Sequence, residues 1–181
     1  MKNGETQSFI KKVEEVFIMD CFLLITSDVQ NKLAVSEILK CNEYTVRFGL
    51  VLSQVEAQEL IETRNEALNR NGRIEFGGGI IDKIIKEFCD SPFLYQANYA
   101  ETLNDLVETF YYFKNESQDR LSDDELISLM KKYFDSNCGG SVELLQNREL
   151  EAIAKNIRYG ISDYEDISDQ ADYFDEEEED L

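Results

Sequence analysis

The sequence predicts a predominantly helical α+β domain over residues 9–160, with a small number of short strands, followed by a disordered acidic tail over 161–181. Three observations carry this. Ser53-Gln-Val-Glu56 and Ser122-Asp-Asp-Glu125 are capping boxes, and each opens an apolar repeat at helical spacing. Tyr44-Thr-Val-Arg-Phe-Gly-Leu-Val-Leu52 is rich in β-branched and aromatic residues, and Arg73-Ile-Glu-Phe76 alternates polar with apolar, so both read as strands. Residues 162–181 hold eleven of the chain's acids and no Lys or Arg, a composition that cannot bury enough surface to fold alone.

The elements follow in order. Phe9–Phe17 reads as a short amphipathic helix with Ile10, Val13 and Phe17 on one face. The apolar run Val16–Thr26 fits a buried strand or a buried helix equally well. Leu33–Leu39 reads as a helix with Leu33, Ile38 and Leu39 inward. After the Tyr44–Leu52 strand, the helix opened by Ser53 puts Ala57, Leu60, Ile61, Ala67 and Leu68 on one face, and Gly72 supplies the residue that follows its C-terminus. Beyond the glycines at 77–79, Ile80, Ile81, Ile84, Ile85, Phe88 and Cys89 recur at helical spacing until Asp90-Ser-Pro92 stops them. Asn98-Tyr-Ala-Glu101 repeats the cap pattern, opening a helix lined by Leu103, Leu106, Val107, Phe110 and Phe113, with Tyr111 or Tyr112 near the surface. Ser122 opens another, lined by Leu126, Ile127, Met130, Tyr133 and Phe134 and ended by Gly139 and Gly140. Ser141 caps a last helix carrying Val142, Leu145, Ile153 and Ile157, which closes near Gly160.

Gly77, Gly78 and Gly79 join the second strand to a helix, the place where phosphate loops sit. The spacing matches no phosphate-binding fingerprint, and Asp82 in the first helical turn would repel an anion, so a tight turn is the preferred reading. The alternative is an enzyme or ligand-binding domain with a pocket at this corner, with Glu75, Asp82 and Lys83 as its charged groups. Asp135, Asn137, Gly140 and Glu143 partly match a calcium loop, but Gly139 and Gln146 stand where oxygen ligands belong. A degenerate calcium site is therefore the third reading, behind ordinary capped turns.

The formal net charge is −20, and −9 remains for residues 1–161 once the tail's acids are set aside. Such a surface argues against nucleic-acid binding. With no histidine in the chain, Ser-His-Asp and Cys-His catalysis and the commonest zinc sets are ruled out. Four separated cysteines, Cys21, Cys41, Cys89 and Cys138, read as reduced thiols, and the longest apolar run is too short to span a bilayer, so a cytoplasmic protein is expected. No cofactor or membrane partner is expected, and the oligomeric state is left open.

The segments Gly-Arg-Ile-Glu-Phe-Gly-Gly-Gly at 72–79, Phe-Cys-Asp-Ser-Pro-Phe at 88–93, Asn-Tyr-Ala-Glu-Thr-Leu at 98–103 and Tyr-Tyr-Phe-Lys-Asn-Glu-Ser at 111–117 resemble a bacterial, Firmicutes-type family of unknown function. The resemblance spans Tyr44–Tyr159. It implies a bacterial cytoplasmic protein and brings no site residues with it. The leading expectation is a non-enzymatic interaction or adaptor module for another protein, with a basic protein as one option; the acidic tail reads first as a solvated segment that aids solubility, and alternatively as a docking motif with Tyr164, Tyr173 and Phe174 as its groups.

Overall fold

The computed structural model describes residues 29–75 and 77–160. The expectations for Phe9–Phe17, for the Val16–Thr26 run, for Cys21 and for the tail with Tyr164, Tyr173 and Phe174 lie outside these residues. The described chain is helical, with α1 at 29–40, α2 at Asn42–Thr45 running into a 3-10 turn at Val46–Phe48, α3 at Gln54–Arg70, α4 at Ile80–Phe88, α5 at Tyr99–Glu116 and α6 at Asp123–Asp135. A final continuous helical stretch comprises α7 at Val142–Leu144, a π-helical turn at Leu145–Leu150 and α8 at Glu151–Tyr159.

Among the described residues there is no strand, so the α+β expectation is wrong and the fold class is all-α. In the segment 44–52, side chains replace a partner strand. Asn42 Nδ2 donates to Leu52 O at 2.8 Å and Asn42 Oδ1 accepts from Leu52 N at 2.8 Å. Gln96 brackets Val51 in the same way, accepting from its N–H and donating to its carbonyl, both at 2.8 Å. Thr45 Oγ1 donates to Leu50 O at 2.8 Å. Three polar side chains thus satisfy the backbone groups of Val51 and Leu52 and the Leu50 carbonyl, the Leu50 N–H donates to Thr45 O at 3.3 Å, and Gly49, at φ 75°, turns the chain back. The second expected strand fails more simply. Arg73 N bonds Leu68 O at 2.9 Å, closing the end of α3, and Ile74 is 82% exposed, with no strand among the described residues to cover it.

The helices themselves follow from the apolar repeats. Both capping boxes are complete, Ser53 with Glu56 and Ser122 with Glu125, and Ser141 Oγ accepts from Leu144 N at 3.2 Å. Asn98 stands before α5 as expected but does not cap it; its side chain instead ties Tyr95 N and Phe93 O, bracing the loop after α4. α3 packs along the length of α5, α4 lies against α5 and α6, and the 142–159 stretch closes over α5 and α6. One buried cluster runs through all of them. Every inward residue expected on α3, α4, α5 and α6 is buried; on α1, Ile38 is buried as expected and Leu39 is partly buried, while Leu33 is 60% exposed and Ala34 takes its place on the inner face. Of the tyrosine pair, Tyr111 is buried and Tyr112 exposed.

Candidate functional site

The inward face of α3 repeats at 57, 60, 61, 64, 67 and 68, and Arg64 occupies the fourth of those places. A guanidinium on an apolar stripe must find polar partners or leave the core. Arg64 is 3% exposed and finds them at the glycine corner, where it donates to Gly77 O through Nη1 and to the adjacent Asn65 Oδ1 through Nε and Nη2. Asn65 in turn donates to Asn31 Oδ1 on α1 at 3.1 Å.

The corner is shaped by carboxylates pressed against its backbone. Glu37 of α1 accepts from Gly78 N at 2.6 Å. A Cβ added to Gly77 would lie 2.6 Å from Glu37 Oε2, and one added to Gly79 would lie 2.6 Å from Glu75 Oε2 and 3.5 Å from Arg64 Nη1. Both glycines also have positive φ, 65° and 54°, so the triplet turns the chain and admits the acids at once. Glu75 Oε2 accepts from the Tyr111 hydroxyl at 2.6 Å, and burial, reinforced by that bond and the Glu75 charge, pushes the phenol well above its ordinary range.

Two clefts flank the corner. One, about 290 Å³, is lined by Gln30, Asn31, Leu33, Glu37, Arg64, Asn65, Glu75 and Gly77. The other, about 440 Å³, has Gly78, Gly79, Asp82, Lys86, Cys41 and Tyr44 among its walls. Glu75 and Gly77 therefore share a cleft, while Gly78, Gly79 and Asp82 face its neighbour. Lys83 joins neither and pairs with Asp124 of α6 at 2.7 Å. Asp82 accepts from Cys41 Sγ at 3.0 Å and from Lys86 Nζ at 2.6 Å. Burial and this bond to Asp82 push the Cys41 thiol up to about 12, which keeps it protonated and a poor nucleophile at neutral pH.

A larger cleft of about 560 Å³ opens between the end of α3, α5 and the π-turn. Its polar groups are largely matched to one another or to neighbouring residues: Arg70 with Glu108 at 3.0 Å, Gln146 Nε2 with Thr109 Oγ1 at 2.5 Å, and Glu151 with Arg158 at 3.2 Å.

The calcium-loop residues are employed otherwise. Asp135 accepts from Ser91 Oγ at 2.5 Å and pairs with Lys131. Asn137 is exposed and reaches Glu149 at 3.5 Å, and Glu143 is exposed. Gly140 is needed for close packing, since a Cβ there would fall 2.4 Å from the Phe93 side chain. Among the described residues no group of three or more His, Cys, Asp or Glu is placed to hold a metal ion, and no helix is long and apolar enough to cross a membrane.

The segment that fails as a strand leaves its apolar side chains outside. Tyr44, Val46, Phe48 and Val51 are 40%, 57%, 39% and 41% exposed. The Arg47 guanidinium stands 3.7 Å from the Tyr44 ring centroid and 4.7 Å from that of Phe48, and the two rings meet edge to face at 5.9 Å.

These features define an all-helical domain with a polar corner pocket and an exposed aromatic face. The chain belongs to DUF6323, a family of unknown function, whose sequence model matches residues 37–163. That range takes in the glycine corner, Arg64, the aromatic face and all of α3 to α8. No curated protein and no solved structure matches the chain.

Proposed function

We propose that the protein is a non-enzymatic interaction module that docks another protein on the Tyr44–Val51 face. The observation that carries this reading is the exposed Tyr44–Arg47–Phe48 stack. Tyr, Phe and Arg are the residues enriched at protein interfaces and their hot spots, and here the guanidinium holds both rings in place before any partner arrives. Pre-ordered rings lose less freedom on binding. The acid excess, −20 over the whole chain, favours a basic partner through long-range attraction.

Co-purification from the native host tests this with three forms: the full chain, a Tyr44→Ala/Phe48→Ala variant and a truncation after Gly160. A partner held by the full chain and the truncation but lost from the double variant supports the face. Retention by the double variant together with loss on truncation transfers docking to Tyr164, Tyr173 and Phe174. Enrichment of nothing over a tag control rejects the reading.

A further inference from the structure

We propose that the cleft of about 290 Å³ beside the glycine corner binds a small zwitterion of the α-amino-acid class, its carboxylate held by Arg64 and its ammonium by Glu37 and Glu75. The residues concerned are not those of the docking face, and the inference stands independently of it.

Arg64 lacks a direct ion-pair partner among the described residues. The described residues include two buried cations, Arg64 and Lys114. Lys114 is neutralised by Asp123 at 2.9 Å. Arg64, by contrast, has no carboxylate within ion-pair distance among the described residues; its acceptors are the neutral Gly77 carbonyl and Asn65 amide. Those bonds use three of the five N–H groups of a guanidinium, and two remain. A desolvated cation with spare, fixed donors on the wall of a cleft is arranged for a carboxylate, which a guanidinium grips more firmly than any neutral acceptor.

The same cleft carries two acids. Glu37 and Glu75 each commit Oε2, to Gly78 N and to the Tyr111 hydroxyl, and among the described residues neither Oε1 has a hydrogen bond. These bonds hold the carboxylates in position while leaving an acceptor on each. A plain anion entering here would meet two like charges, and a plain amine would meet Arg64. A ligand bearing both signs satisfies all three groups.

The volume lies at the low end of ligand pockets, roughly 300–1,000 Å³, which fits a molecule of amino-acid size. Leu33, half of whose surface or more is open, gives the lining an apolar wall, so an apolar side chain is the better fit.

The test uses the full-length protein. Thermal unfolding is followed with each of the twenty standard L-α-amino acids at about 5 mM, and hits are titrated by calorimetry. Each hit is compared with its decarboxylated amine and its deaminated acid. The expected result is a rise in melting temperature of a few degrees for one or more apolar amino acids and loss of at least about tenfold in affinity for either one-charge analogue. Arg64→Lys and Glu75→Gln are expected to weaken binding about tenfold or more while still unfolding in one cooperative transition. Because Arg64→Lys removes the planar donor pair from a buried site and can itself disturb folding, Glu37→Gln, at an exposed position, supplies a second acid variant with the same expectation. The proposal is overturned if no amino acid raises the melting temperature. It is equally overturned if the amine or the acid alone binds as tightly as the zwitterion, or if folded Glu75→Gln and Glu37→Gln both bind with parental affinity.

Discussion

At the scale of the residue, the glycine corner separates two reasons for keeping a glycine. Gly72 and Gly79 both have positive φ, 62° and 54°, but a Cβ on Gly72 meets nothing within 4 Å while one on Gly79 strikes Glu75. Gly72→Ala should cost about 1 kcal/mol for the backbone alone. Gly79→Ala should cost about 2–3 kcal/mol, because its backbone, at φ 54° and ψ −131°, lies outside the left-handed region that other residues tolerate and the Glu75 carboxylate must also give way and loosen its bond to Tyr111. Urea unfolding of the two variants measures the difference, and equal losses would show that the contact with Glu75 contributes nothing. The triplet was readable as a turn from the sequence, and Glu75 as a neighbour of it. Arg64 was not read, although its signal was present: it occupies an inward place on a stripe otherwise made of Ala, Leu and Ile. Periodicity normally assigns such a residue to an interruption, and only the fold shows that the stripe continues through it. Glu37 carried no signal, since its partner is a backbone N–H 41 residues away.

At the scale of the element, the caps were legible because their chemistry is local. Ser53, Glu56 and the two backbone N–H groups they serve lie within four residues of one another. Ser53→Ala should therefore cost about 1 kcal/mol, or about 2–4 °C in melting temperature for a chain of this size. The hydrogen bonds from Ser53, side chain and backbone, hold the Glu56 carboxyl below its ordinary 4.5. A lowered carboxylate stabilises the fold above its unfolded value and loses that contribution as pH falls through the folded one. The deficit of Glu56→Gln relative to the parent should thus be full at pH 7 and shrink below pH 4.5; a deficit that stays constant from pH 7 to pH 3 would remove the charge from the explanation. The expected strands were illegible for the opposite reason. Composition at 44–52 reports what a β-strand would accept, but the outcome turned on Asn42, Thr45 and Gln96, and Gln96 lies 45 residues from Val51. Propensity yielded to backbone hydrogen bonds supplied from a distance.

At the scale of the molecule, one buried cluster joins α1, α3, α4, α5, α6, the π-turn and α8, with Ile157 its last member. A chain ending at Gly160 keeps every described core residue. It is expected to unfold in a single transition within about 2 °C of the full chain, by calorimetry and circular dichroism alike. A broad or split transition would mean that residues 161–181 belong to the cooperative unit. The all-helical character was only partly foreseen: each long helix was visible as a 3.6-residue repeat, whereas the choice between a small sheet and none depended on the two segments just discussed. The two proposed sites were less legible still, because they are made by residues that local pattern marks as something else: a strand that is a surface, and a stripe that holds a charge.

The π-turn at Leu145–Leu150 has a consequence for the length of the chain. Each of its backbone bonds spans one residue more than in an α-helix, so a single deletion there can be absorbed by closing to ordinary helix, with α8 still presenting Ile153, Ala154 and Ile157 inward. The same deletion within α3 or α5 would rotate everything beyond it by about 100° and take a whole face off the core. The last helix carries a spare residue, the one place along it where the number of residues, and not only their kind, is free to change.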